Sequence, residues 1–195
     1  FNNGKIQMTG IKYEDQGKEV LDELIPTLLQ VQEENKSKGI LDKDIFSTKD
    51  KIFYENYRVV MINSDFDLGF PINRENLHRE MVHPDVQMYS SIEPCIYPGV
   101  NIKYFHNTQH IGGVCQCGRI CNGKGKGDGD GDCKKITIAV FMSGKAIITG
   151  AMNKEQLQIA YDYIQEFVQS RKEKLLLPKE VENEVSISKS VQAVE

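Results

Sequence analysis

Ile138-Ala139-Val140-Phe141-Met142-Ser143-Gly144-Lys145-Ala146-Ile147-Ile148-Thr149-Gly150-Ala151 reads as two strands joined by a tight turn. The β-branched run 136–141 is the first strand, Met142, Ser143 and Gly144 turn the chain, and 145–149 returns. Gly144 supplies the positive φ that such a turn favours. Within this stretch lies the pattern F-x-x-G-K-x-x-x-T-G. It occurs twice: Phe1, Gly4, Lys5, Thr9 and Gly10 repeat as Phe141, Gly144, Lys145, Thr149 and Gly150 at one constant offset.

Both copies lead into an amphipathic helical pattern, over 14–32 and over 153–172, so the repeated unit is hairpin, strand, helix. The second helix opens at Asn153, a good N-cap, with Gln156 as its capping-box partner. Leu157, Ala160, Tyr161, Ile164, Phe167 and Val168 form its apolar stripe, and sheet-packing core explains them. The first helix carries Val20, Leu21, Leu24, Leu28 and Val31, with a kink expected at Pro26. Between the copies the pattern predicts a strand over 57–66, a short helix over 73–81, and strands over 88–92 and 100–105. The predicted order is strand, helix, four strands, helix.

The chain has 195 residues, a formal charge of −4 and 39% hydrophobic residues, which fits one ordinary domain with additions. No apolar run approaches the roughly 18 residues a membrane span needs. The opening Phe1-Asn2-Asn3-Gly4-Lys5 lacks both an initiator Met and a signal pattern, and reads as part of a longer chain. Five Cys are too few for a disulfide scaffold, and a reducing, intracellular setting fits them better. The charged stretch 33–50 reads as a linker, and the polar end of the chain has little to bury and reads as disordered.

The strand ending in Phe70-Pro71, the helix after it, S-S-I-E-P-C-I-Y-P-G over 90–99, I-A-V-F-M-S-G-K-A-I-I-T-G-A over 138–151 and the long closing helix resemble, in this order, the second repeat of the TATA-box-binding protein family. The resemblance runs from about Tyr57 to Lys172, and residues 1–31 resemble only the end of the first repeat. It implies an α+β fold: a saddle of two pseudo-symmetric repeats, with a curved antiparallel sheet facing the DNA minor groove and helices on the convex side. The implied division is 1–36 for the first repeat's C-terminal part, 37–53 for the linker, 54–175 for the second repeat with a Cys/Gly-rich insertion at 106–134, and 176–195 for the tail. The insertions and substitutions are similar to those of divergent members carried by large DNA viruses. The implied partners are A·T-rich double-stranded DNA, general transcription factors and the RNA polymerase machinery. The implied location is the nucleus or a viral replication compartment.

Alternation along the 136–141 strand puts Thr137, Ala139 and Phe141 on one face, and along its partner Ile147 and Thr149 stand apart from Ala146 and Ile148. A central strand buried on both sides explains such a pattern. Two helical stripes are few for four or five strands, however, and an uncovered apolar face calls for a ligand. The floor of an A·T minor groove offers acceptors and no protruding amino group, so small, apolar and hydroxyl side chains can lie against it.

The resemblance assigns Phe141 and Tyr97 to the aromatics that wedge between base steps, and Phe1 to the matching wedge of the first repeat. It places phosphate contacts at Lys5, Lys103 and Lys145, and adds Thr9, Thr137, Ala139, Ile147 and Thr149 to the DNA-facing set. Where the family carries a base-contacting Asn, Met61 stands here, with Asn63 two residues on; Gln7 replaces a groove-facing apolar residue, and Met152 a basic one. Net acidity also opposes phosphate neutralisation. Between Tyr97 and Met152, seven Lys and Arg against three Asp nevertheless make the DNA-facing half locally basic.

The insertion carries Cys115, Cys117, Cys121 and Cys133. Four thiolates satisfy tetrahedral Zn²⁺, and a glycine-rich loop gains order from such a clip. The C-x-C-x3-C-x11-C spacing differs from paired C-x2-C knuckles, so an unstructured loop with free thiols is the competing reading. His106 and His110 are further candidate ligands, and Cys95 is expected in strand packing. Asp128, Asp130 and Asp132 imitate a calcium loop, but its twelfth position is Ala139, which excludes an EF-hand. The glycine-lysine run 123–127 lacks the spacing of a nucleotide-phosphate cradle. No paired carboxylates and no Ser-His or Cys-His signature support an enzyme. Two functions follow: a TATA-binding-like initiation protein that bends DNA, or a protein-interaction module that keeps the fold and has weak or lost DNA binding.

Overall fold

The computed structural model describes residues 1, 3–46 and 52–177. The chain forms two compact units, Phe1–Val59 and Val60–Glu195. Of the expected linker, 47–51 lie outside the described residues, as does 178–195 of the expected tail.

In the first unit, the Gly4 amide donates to the Phe1 carbonyl at 3.0 Å with Gly4 at φ 79°, closing a turn. No strand follows it among the described residues. The helix α1 spans Glu14–Ser37 and continues through Pro26, so the expected kink does not end it. It also runs past the expected stop at Gln32, into the stretch read as linker. Its buried side keeps only part of the predicted stripe: Leu21 is buried and Leu24 and Leu28 are partly so, but Val20 and Val31 are exposed. The face turned inward instead runs through Gly17, Leu21 and Gln32. Gln32 is buried because its Oε1 accepts the amides of Ile45 at 2.6 Å and Phe46 at 3.2 Å, folding the chain after α1 back on it.

The second unit contains β1 (Ile62–Asp67), α2 (Arg74–Met81), β2 (Tyr89–Glu93), β3 (Tyr97–His106), β4 (Lys134–Val140), β5 (Lys145–Ala151), α3 (Lys154–Ser170) and the short α4 (Lys172–Leu175). The predicted order of strand, helix, four strands and helix holds. The strands form one antiparallel sheet in the order β1-β5-β4-β3-β2. The strand expected over 57–66 is shorter at its start because Ile62 already pairs with Ala151, the last residue of β5. Among the described residues no strand precedes Ile62.

Asn153 caps α3 as predicted, accepting the Gln156 amide at 2.8 Å, and Gln156 Oε1 accepts the Met152 amide at 3.0 Å. Asn73 caps α2 in the same way. The core draws on one side of the sheet only: Val100, Ile102 and Tyr104 of β3, Ile136, Ile138 and Val140 of β4, and Ala146 and Ile148 of β5. Onto that side pack Leu77 and Met81 of α2, Ala160, Ile164, Phe167 and Val168 of α3, and Leu175 of α4. The fold is thus α+β, an antiparallel five-stranded sheet with its helices on one face.

Candidate nucleic-acid interface and metal centre

Because side chains alternate, register fixes what occupies the face opposite the helices. Asn101, Ala139, Ile147 and Asp65 form one row across four strands, and Lys103, Thr137 and Thr149 form the next. None of these residues joins the core cluster. Ala139 is buried, being too short to rise above its neighbours, while Asn101, Lys103, Thr137, Ile147 and Thr149 are half-buried. The surface is low, with small, apolar and hydroxyl groups at its centre.

At one end of this face the Tyr97 and Phe141 rings meet with centroids 5.7 Å apart, tilted at 55°. Gly99 makes room for them, since a Cβ there would stand 2.9 Å from the Tyr97 ring and 3.2 Å from that of Phe141. The turn beyond Phe141 closes with the Gly144 amide donating to the Phe141 carbonyl at 3.0 Å. Gly144 has φ 85° and packs against the Phe70 carbonyl, so neither its backbone nor its surroundings admit a side chain. Lys145 follows, exposed, beside Asp67 in the register.

Lys103 Nζ donates to Thr137 Oγ1 at 3.0 Å. Burial, and secondarily the like charge of Lys135, hold the Lys103 ammonium below the usual lysine value. An anion seated on this row would favour the charged form and so oppose both effects. Asn63 is exposed, and the register slips between Ile62 and Ser64, so it falls outside the rows. Met61 is exposed before β1 begins. Phe1, Lys5 and Thr9 are exposed in the other unit, Phe1 and Lys5 on a turn of the same form as that at Phe141.

The sequence does not single out Asn101, Asp65 or Asp67 on this face. Asn101 and Asp65 were reachable only through the register, which puts them level with Ala139 and Ile147. Cys95 is a correction. It is exposed in the turn between β2 and β3 rather than packed in a strand.

The insertion brings Cys115, Cys117, Cys121 and Cys133 together, with all four sulfur atoms within 4.8 Å of one another. Cys117 and Cys133 sulfurs lie 3.4 Å apart and those of Cys133 and Cys115 3.8 Å. These separations are far above the roughly 2.05 Å of a disulfide. They match a metal tetrahedron, whose sulfur–sulfur edge is about 3.8 Å for bonds of about 2.3 Å. The cluster could hold a metal ion. Burial pushes the Cys133 thiol up, so a thiolate there calls for a cation beside it.

Neither His106 nor His110 belongs to the cluster. Asn107, which the sequence did not suggest, does border it: its buried side chain donates to Cys133 Sγ at 3.4 Å and to the Gly129 carbonyl at 2.7 Å. The aspartates serve as braces. Asp130 accepts from Gly118 N at 2.7 Å and Arg119 Nε at 2.9 Å, and Asp132 accepts the Lys126 and Asp128 amides.

Residues 56–170 match the family described as Transcription factor TFIID (or TATA-binding protein, TBP). The chain belongs to this family, and its sheet is TBP-like. Among solved structures, Methanococcus jannaschii TBP is similar at 17% sequence identity with a TM-score of 0.44. The alignment covers 83% of this chain and 64% of the archaeal one, so the chain spans less than two thirds of that protein's length. Compared with curated proteins, the sequence matches none. Among the described residues no helix is long and apolar enough to cross a membrane.

Proposed function

We propose that the face opposite the helices binds the minor groove of A·T-rich DNA and bends it, in transcription initiation within the nucleus. The carrying observation is the register: it sets Thr137, Ala139, Ile147 and Thr149 on a low surface outside the core, with Tyr97 and Phe141 paired at its end. Such a surface suits a groove floor that offers acceptors and no protruding donors. The aromatic pair would act as the wedge that unstacks a base step. Lys103 and Lys145 would neutralise phosphates, and Phe1, Lys5, Thr9 and Asn63 would add contacts. General transcription factors and the polymerase machinery would dock on the helical side.

A second reading, a protein-interaction module with lost DNA binding, draws on Asp65 and Asp67. Both are exposed, and they stand beside Ile147 and Lys145 on the same face. Carboxylates there repel phosphate.

Fluorescence anisotropy with an A·T-rich duplex separates the two. Salt-sensitive binding that Phe141→Ala weakens by about tenfold or more supports the DNA reading, and no binding at either of two salt concentrations supports the module. Zinc is the proposed occupant of the four-thiol cluster, since closed Cys₄ tetrahedra favour this ion. Metal analysis after dialysis against a weak chelator should find about one zinc per chain.

A further inference from the structure

The loop that carries the cysteines is held from several directions. The Gly113 carbonyl accepts the Phe105 amide at 2.7 Å, and Gly113 packs against the Tyr104 ring on the helix side of the sheet. The Gly123 carbonyl accepts the Lys135 amide at 2.8 Å. A Cβ at Gly123 would stand 2.6 Å from the Lys135 side chain and 2.9 Å from the Phe105 ring, both on the opposite face. Lys126 offers its carbonyl to Gln156 Nε2, at the start of α3, at 2.7 Å. The loop therefore grips the end of the β3–β4 pair from both sides and reaches the first turn of α3.

Nothing apolar in the loop accounts for that grip. Ile111 and Ile120 are 94% and 97% exposed, and only Val114 packs on the core. Glycine occupies eight positions between Gly112 and Gly131, and each gives up much conformational freedom on ordering. Asp130 and Asp132 brace parts of the loop, and the four thiols are the feature that joins its outgoing limb to the foot of β4. Cys115, Cys117 and Cys121 come from the outgoing limb, and Cys133 sits immediately before β4.

We infer that the metal centre is a clasp: one ion joins the outgoing limb to the foot of β4, and so holds the loop across the end of the sheet. The inference rests on the metal reading above. Asn107 is its positioning residue, donating an N–H to the Cys133 sulfur while the same amide nitrogen holds Gly129 and its oxygen accepts the Gln109 amide at 2.9 Å. Hydrogen bonds from outside the ligand set orient ligands and commonly change metal affinity by about 10–100-fold. The occupied clasp also fixes the Phe105–Lys135 end of the face that carries Lys103, Thr137 and Thr149.

The test uses the full chain, stripped of metal by a chelator under reducing conditions and reloaded with zinc. Limited trypsin digestion reads the loop at Arg119, Lys124 and Lys126. Cleavage at these sites is expected to be at least about tenfold slower with zinc bound than without, and Cys115→Ser should abolish the protection. One zinc bound with no change in loop cleavage would overturn the clasp and leave the metal site standing. A chain that takes up no zinc at all would overturn both. For Asn107, the near-isosteric Asn107→Asp removes the N–H donor. It should speed zinc loss to a chelator about tenfold and move the sulfur-to-metal charge-transfer band of the cobalt-loaded protein. An unmoved band and unchanged release would remove Asn107 from this role.

Discussion

The two copies of F-x-x-G-K-x-x-x-T-G make the same turn and meet different fates. In each, glycine lies at positive φ and its amide reaches the phenylalanine carbonyl at 3.0 Å. The Phe141 amide in turn donates to the Lys145 carbonyl at 2.9 Å. Among the described residues, the second copy alone continues into a strand, with β4 on one side and β1 on the other. Ten residues suffice to specify a turn. A strand also needs neighbours to receive its amides and a core to receive alternate side chains.

Matched substitutions sharpen this contrast. The largest difference is expected between Ile148, fully buried in β5, and Met8, its half-buried counterpart. Ile148→Ala should cost about 2–5 kcal/mol in denaturant unfolding, and Met8→Ala under about 1 kcal/mol. Next come the glycines. Gly144→Ala should cost roughly 3 kcal/mol, from the positive φ and from collision with the Phe70 carbonyl. Gly4→Ala should cost about 1 kcal/mol, since a Cβ at Gly4 meets nothing within 4 Å. The smallest effect concerns the caps. Asn153→Ala should cost about 1 kcal/mol, whereas Tyr13, which offers α1 no side-chain cap, should tolerate Tyr13→Asp with a gain of a few tenths of a kcal/mol or more. Comparable losses in both copies would break the contrast.

What was legible in the sequence followed the same division. Turns and caps depend on a few adjacent residues, so Gly144, Asn153 and the order of elements could be read directly. The alternation that separates Thr137, Ala139 and Phe141 from Ile136, Ile138 and Val140 was equally plain, because it lies within one strand. Features set by distant partners were not. The start of β1 is fixed by the end of β5, and Asp65 enters the open face only through its pairing with Ile147. Val20 and Val31 fit a helical stripe in sequence yet stay exposed, while Gln32 is buried because residues 45 and 46 fold back to it. The four cysteines stood out as candidate metal ligands by type and number, but Asn107 emerged only when the loop closed on Cys133.

The claim on which the account turns is that the face bearing Tyr97 and Phe141 deforms DNA. The most direct measurement is resonance energy transfer between dyes at the two ends of an A·T-rich duplex, titrated with the protein and with the Tyr97→Ala/Phe141→Ala double variant. Transfer should rise with the wild-type chain, and the double variant should abolish most of the rise. An end-to-end distance that the wild-type chain leaves unchanged, or that the double variant shortens equally, would contradict that claim.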